Sequence, residues 1–214
     1  MPKNENEETV ESKKEEAPQI IMLGGSDSEL RTISLYGDVT EDTAKDLVAG
    51  LWYLKETAKT EELEDPMDPE SPTKEVIRPA EFIISTNGGN ADDMFSIYDT
   101  MTYCQNEMEV HTVGLGKVMS AGVLLLAAGT KGQRKIGRHC RVMMHSVIGG
   151  SVGPMHQLDN EMKEIKAIQE MHIKAMCKET NLTEKQLRTL LKRKVNIYLT
   201  AEEAVEYGIA DIII

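Results

Sequence analysis

Ser120, His145 and the pair Gly88-Gly89 are the residues of this chain whose types and spacing best suit chemistry. Ser120 lies between the strand-like run EVHTVGLG and the apolar run AGVLLLAAG, where a strand gives way to a helix. Serine at such a position is either an N-cap, whose hydroxyl accepts a backbone hydrogen bond, or a nucleophile presented at a turn. The sequence is not the G-x-S-x-G motif of α/β-hydrolases, because Val118 stands in place of the first glycine.

Gly88-Gly89 lies at a second strand-to-helix junction, after the run EFIIST. Neighbouring parallel strands would bring this junction beside Ser120. Free backbone N–H groups at such a turn can hold the negative oxygen of a tetrahedral intermediate, and glycine lets a substrate approach closely. Taken alone, the pair equally describes a simple turn that needs positive φ.

His145 ends the apolar run RVMM and is followed by Ser146 and Gly149-Gly150. A histidine in this position is a packed or capping residue, or a general base beside flexible backbone. The other four histidines suit the second role less well, since they lie within a strand, between two arginines or on a long predicted helix: His111, His139, His156 and His172. Ser120, Gly88-Gly89 and His145 together favour acyl-transfer chemistry over three separate structural roles.

Strands and helices alternate along the chain, which predicts an α/β fold with right-handed βαβ crossovers and a largely parallel sheet. The predicted strands are residues 32–37, 81–86, 109–116, 133–137 and 141–146. The predicted helices are residues 40–56, 91–101, 119–128, 155–180, 183–193 and 200–208. Thr40, Thr183 and Thr200 are the expected N-caps. The apolar tail IADIII is expected to join a sheet or to meet another subunit.

Composition indicates one acidic domain. The chain has 214 residues and a net charge of −12, which disfavours nucleic acid and anionic lipid as partners. Three unpaired-looking cysteines indicate neither a disulfide framework nor a zinc site and favour a reduced, cytoplasmic setting. No export signal or membrane-spanning run is predicted. Residues 1–18 are predicted to be a flexible acidic arm, and residues 59–79 an exposed acidic loop inserted in a domain that covers 19–214.

Four blocks resemble the Clp protease proteolytic subunits, known as ClpP: NGGNADDMFSIYDTM, MSAGVLLLAAGTKGQR, RVMMHSVIGG and YLTAEEAVEYGIAD. The resemblance runs from about residue 32 to residue 211. It implies the ClpP/crotonase fold, in which a βαβ spiral core carries a long protruding helix. It also implies a serine peptidase in which Ser120 attacks the peptide carbonyl and His145 is the general base. Gly89 and Ala121 would supply the oxyanion-hole N–H groups.

The third catalytic position departs from the family. Alignment of Tyr198-Leu199-Thr200 with the family's block puts Asn196 where the family has the aspartate that orients the histidine. An asparagine can accept a hydrogen bond but offers no carboxylate charge to the imidazolium, so weakened activity is expected. Other departures are Asn87 in place of a proline, Ala121 in place of a methionine, the acidic insertion at 59–79 and the acidic arm.

The resemblance also implies an assembly of two stacked heptameric rings, with the helix at 155–180 interdigitating between rings. An AAA+ ATPase of the Clp type would consume ATP and deliver unfolded chains, and this chain itself would need no cofactor or metal. One alternative is a weak or inactive ClpP-like subunit that acts structurally, in mixed rings with an active one. A second alternative, an acyl-CoA enzyme of the crotonase fold, is disfavoured by the acidic balance and the lack of a basic phosphate-binding cluster.

Overall fold

The computed structural model describes residues 30–192 and 195–214, and the predicted arm at 1–18 lies outside them. The described strands are β1 (Thr32–Val39), β2 (Lys59–Leu63), β3 (Thr73–Ile77), β4 (Ala80–Gly89), β5 (Val110–Met119), β6 (Lys135–Ile136), β7 (Arg141–Met144), β8 (Ile197–Leu199) and β9 (Ile212–Ile213). The described helices are α1 (Glu41–Glu56), α2 (Ala91–Cys104), α3 (Ala121–Ala127), α4 (Met155–Glu179), α5 (Glu184–Leu191) and α6 (Ala201–Glu206).

Seven strands form one mostly parallel sheet, which confirms the predicted α/β class. The order is β1-β4-β5-β6-β9, and β9 is the apolar tail that joins the sheet beside β6. The second half of β5 leaves β6 and pairs with β7, which in turn pairs antiparallel with β8. Because the chain crosses from β4 through α2 to β5, the carboxyl ends of these two parallel strands meet at one edge of the sheet.

The predicted helix starts are confirmed by their caps. The hydroxyls of Thr40, Thr183 and Thr200 each accept a hydrogen bond from the backbone N–H three residues on, and each helix start is a reciprocal capping box. The apolar face of α1 is buried at Ala44, Leu47, Leu51 and Leu54, as its helical spacing predicts. These local signals therefore specify where the helices that flank the sheet begin.

The segment predicted to be a loop, 59–79, contains a β-hairpin that runs from Lys59 to Ile77. β2 and β3 pair antiparallel as a separate two-stranded sheet, whose side chains are mostly exposed. Glu62 lies opposite Lys74, and the Lys59 ammonium is 3.6 Å from the Glu75 carboxylate. Glu75 faces Glu61 in the register, and its contact with Lys59 is diagonal. Charges that are typical of a loop here belong to paired strands. The short strand β8 was also not predicted.

Residues 155–164 of α4 are all exposed, which agrees with the long protruding helix that the resemblance implies. Its buried residues lie near its C-terminal end, at Ile173, Ala175, Met176 and Glu179. Met155, Leu158 and Met162, nearer its start, are exposed apolar side chains. The first half of α4 therefore carries an apolar stripe that this single chain does not cover.

A buried arginine anchors the end of α4. The Arg134 side chain is 5% exposed and donates to the carbonyl oxygens of Ala127, Glu179 and Gly208. Its Nε atom also donates to Asp211 at 2.8 Å. Burial alone would raise the pKa of Asp211, but the hydrogen bonds and charge of Arg134 outweigh burial and lower that pKa. The ends of α3 and α4 and the tail are thus held by one charged centre.

Candidate active site

Ser120 lies at the turn between β5 and α3 in a strained backbone conformation. Its φ is 53°, and it is the sole residue other than glycine with positive φ in the described part of the chain. Such a conformation costs energy and is concentrated at functional sites. The Ser120 N–H donates to the Met143 carbonyl at 2.7 Å, but the hydroxyl makes no capping hydrogen bond to α3. Ser120 therefore stands at the N-cap position without using its side chain as a cap.

Gly88 and Gly89 end β4 directly beside Ser120. Both have positive φ, at 101° and 156°. A Cβ atom on Gly88 would lie 2.5 Å from the Ser120 Cβ, and one on Gly89 would lie 2.1 Å from the Val39 carbonyl oxygen. The Asn90 N–H donates to that same carbonyl of β1. Gly89 itself lies opposite Val39 in the register of β1 and β4.

We expect Gly88→Ala to displace Ser120 and to lower any activity that depends on it by roughly 10-fold or more, since small misplacements of reacting groups are costly. The matched control is Gly150→Ala, because a Cβ there meets nothing within 4 Å and the backbone is not strained. Peptide hydrolysis by the two purified variants checks the prediction. Equal rates for both variants would show that Ser120 tolerates the displacement.

His145 follows β7 and lies in the same cleft as Ser120. Its Nδ1 atom is 2.5 Å from the carbonyl oxygen of Ser146. A carbonyl oxygen can only accept, so Nδ1 carries a proton, and in the neutral ring Nε2 then keeps its lone pair. This is the tautomer that a general base requires.

The cleft brings together four of the five residues proposed from the sequence. It has a volume of about 460 Å³ and includes Ser120, His145, Gly89 and Ala121 in its lining. Ala121 is the first residue of α3, where backbone N–H groups have no partner within the helix. The rest of the wall is largely apolar, with side chains from α2, α3, β7, α4 and the segment that joins β7 to α4: Met94, Val123, Met144, Ile148, Ile165 and Ile168.

Asn196 is the fifth residue, and it does not line this cleft. It precedes β8, whose pairing with β7 runs through Met144 and Ile197. One further step in that antiparallel register puts Asn196 opposite His145. Asn196 is exposed, however, and no hydrogen bond joins it to His145 within the described residues. The structure thus brings the backbone of Asn196 near His145 without engaging its side chain.

His172 is a residue of the cleft that the sequence reasoning assigned only to the face of a helix. It follows Ile165 and Ile168 at helical spacing, so the signal for its position was the apolar stripe itself. Its Nδ1 atom is buried and has no hydrogen-bond partner in the described part of the chain. Burial, with a smaller effect from the nearby charge of His145, lowers the pKa of His172 to about 4.

We expect this histidine to make stability depend on pH. Its pKa is lower in the folded chain than in the unfolded one, so the unfolded state alone binds the proton as the pH falls from about 6.5 to about 4. Relative to His172→Leu, the wild type should therefore lose roughly 3 kcal/mol of unfolding free energy over that range. Urea unfolding of the wild type and of His172→Leu, at equal protein concentrations and at several pH values, measures this difference in unfolding free energy. His156→Leu, at an exposed histidine of the same helix, is the control, and a constant difference between wild type and His172→Leu would contradict the prediction.

Neither a metal cluster nor a membrane-spanning helix is found in residues 30–192 and 195–214. No group of three or more His, Cys, Asp or Glu side chains there could hold a metal ion. No helix there is long and apolar enough to cross a bilayer.

Comparison with known proteins decides the family. The sequence profile described as Clp protease matches residues 70–214. The chain belongs to the Clp protease family. It is 33% identical over 185 residues to the ATP-dependent Clp protease proteolytic subunit 1 of Prochlorococcus marinus subsp. pastoris (strain CCMP1986 / NIES-2087 / MED4), covering 86% of this chain and 83% of that protein. It is 34% identical over 184 residues to proteolytic subunit 2 of Corynebacterium jeikeium (strain K411), covering 86% of this chain and 78% of that protein.

Membership in the Clp protease family supports a Clp-type serine peptidase in general. It agrees with the mixed α/β architecture and its mostly parallel sheet. The matched region includes Ser120 and His145, together with the whole of α4. It starts within the hairpin segment, after β2, so the whole of β2 lies before it.

Proposed function

We propose that this chain is a serine endopeptidase of the Clp type that hydrolyses unfolded polypeptides. The observation that carries the proposal is the strained Ser120, whose hydroxyl is not used as a cap, in one cleft with a His145 that has the tautomer of a base. A purely structural role for Ser120 would not account for the energetic cost of its positive φ. The two positions beside it, Gly88 and Gly89, admit only glycine. The largely apolar wall of the cleft suits an extended, unfolded substrate.

The mechanism follows from these positions. The Ser120 Oγ attacks the peptide carbonyl carbon while His145 Nε2 takes its proton, and the N–H groups of Gly89 and Ala121 hold the oxyanion. The C–N bond then breaks as His145 gives that proton to the leaving amine. Water, deprotonated by His145, hydrolyses the acyl-enzyme and releases Ser120. No metal or cofactor takes part in these steps.

Asn196 explains why we propose a weakened enzyme. No carboxylate of the described residues forms a hydrogen bond or an ion pair with His145, so the charge that develops on its imidazolium in the transition state is less well stabilised. The Ser146 carbonyl oxygen fixes the tautomer of His145, but it offers the imidazolium only a partial negative charge. Slow but measurable turnover is the expected consequence.

The assembly that we propose is two stacked heptameric rings in the cytoplasm, with an AAA+ ATPase of the Clp type delivering substrates. The exposed apolar stripe at Met155, Leu158 and Met162 supports burial of α4 between subunits. ATP would be consumed by the partner. Mixed rings with a second proteolytic subunit are compatible with the same surface.

A fluorophosphonate probe tests the peptidase proposal, because it reacts covalently with activated serines. We expect labelling of the wild type and none of Ser120→Ala. The second candidate, a structural subunit without activity, is favoured by Asn196 alone. It predicts assembled rings that neither label nor hydrolyse short peptides, and that outcome would refute the peptidase.

A further inference from the structure

In the part of the chain that the structure describes, the His145 imidazole hydrogen-bonds to the backbone and to no side chain. Its Nδ1–H donates to the Ser146 carbonyl at 2.5 Å, which is the contact that a carboxylate makes in a serine–histidine–aspartate triad. The orientation of this one carbonyl therefore sets the orientation of the His145 ring. What holds the carbonyl in place is then a question about the reaction itself.

The carbonyl belongs to the peptide group that joins Ser146 to Val147. That group is planar, so its C=O and N–H can rotate only together. The Val147 N–H donates to the Oε1 atom of Gln169 at 2.8 Å. One rigid plane thus links the two hydrogen bonds, from His145 Nδ1 through the peptide to the Gln169 side chain, and each polarises the other.

Resting on the proposed function, we propose that Gln169 is a positioning residue for the general base, acting through the Ser146–Val147 peptide group in place of the missing carboxylate. Gln169 lies on α4, within a regular helix whose end is fixed by the contacts of Glu179. It therefore gives the peptide a rigid reference point. A second anchor comes from the Ser146 hydroxyl, which donates to the Leu191 carbonyl at 3.0 Å.

The segment that carries this peptide has no other regular support. No helix or strand is assigned between β7 and α4, and Ile148 and Val152 are 83% and 99% exposed. A peptide group in such a segment is free to rotate unless its N–H is held. The Oε1 atom of Gln169 accepts the hydrogen bond that holds the Val147 N–H. The Gln169 Nε2 atom takes no part, because it is buried without a hydrogen-bond partner in the described residues.

The test compares two substitutions at one position. Gln169→Met keeps the length and removes the oxygen, and Gln169→Glu keeps an oxygen that can accept from Val147. For a short fluorogenic peptide we expect Gln169→Met to lower kcat roughly 10- to 100-fold with KM changed less than about twofold. We expect Gln169→Glu to recover most of that loss. Gln157→Met, at an exposed position of the same helix, is the matched control and should match the wild type.

Three outcomes overturn the inference: a Gln169→Met variant with wild-type kcat, an equal loss in Gln169→Glu, or an Asn196→Ala variant that loses as much as Gln169→Met. The first means that the peptide is held without Gln169. The second means that any change at this position damages the fold, and the third returns the orienting role to Asn196. Failure of the proposed function is distinct, because the wild type itself would then neither hydrolyse peptides nor react with a fluorophosphonate.

Discussion

Replacing Ser120 by alanine is expected to lower kcat/KM for a short peptide by roughly 10³-fold or more, because no other side chain in the proposed mechanism supplies the attacking oxygen. The strained turn, the two glycines and Ala121 remain in the variant, so substrate binding and the oxyanion site are retained. The loss should therefore appear in kcat, with little change in KM. Initial rates over a range of peptide concentrations separate the two constants.

Ser96→Ala is the matched control for Ser120→Ala, since Ser96 is an exposed serine on α2. It should hydrolyse the peptide at the wild-type rate. If Ser120→Ala kept most of the activity, the hydrolysis would come from another residue or from a contaminating peptidase, and the assignment of the nucleophile would be wrong.

Introducing the carboxylate that the family normally has is expected to raise activity. Asn196→Asp puts a negative charge opposite His145 in the β7–β8 register. In trypsin the reverse substitution costs about 10⁴ in turnover, so we expect a gain in kcat of roughly 100-fold. The expected gain in kcat is smaller than the loss in trypsin because Asn196 is exposed and the Ser146 carbonyl already sets the tautomer of His145. Steady-state hydrolysis of the same peptide measures it.

Asn106→Asp provides the control for the added charge, since Asn106 is an exposed residue in the turn after α2. It should leave kcat unchanged. An Asn196→Asp variant that is no faster than the wild type would mean that the segment before β8 does not bring residue 196 to His145. The weakness of the wild type would then need another cause.

The sequence predicted the parts of the fold that depend on local patterns. Alternating strand and helix periodicities gave the parallel sheet, and threonine caps gave the starts of α1, α5 and α6. The placement of Gly89 beside Ser120 followed from the adjacent carboxyl ends of parallel strands, whereas His145 was chosen from its sequence context among the five histidines and from the resemblance. The hairpin β2–β3 was missed because its acidic and proline-containing segment resembles a loop, whereas cross-strand charge pairs depend on tertiary register.

Two features of the site could not be predicted for a different reason. The Ser146 carbonyl and the Val147 N–H are backbone atoms, which every residue type offers, so no motif marks them. His172 was visible only as a member of an apolar stripe, and whether that stripe faces a cleft or a neighbouring subunit depends on how α4 packs. Residue types thus indicated a candidate nucleophile and a candidate base, and the structure was needed to find which groups contact them.

The most direct test of the central claim, that Ser120 attacks with His145 as its base, is mass-spectrometric mapping after reaction with a peptidyl chloromethyl ketone. Such a reagent binds as a substrate does, and a histidine nitrogen beside the attacking serine displaces its chloride. We predict one modified residue, His145, and a large loss of modification in Ser120→Ala. Modification of His172 in place of His145, or no modification of a histidine at all, would contradict the account.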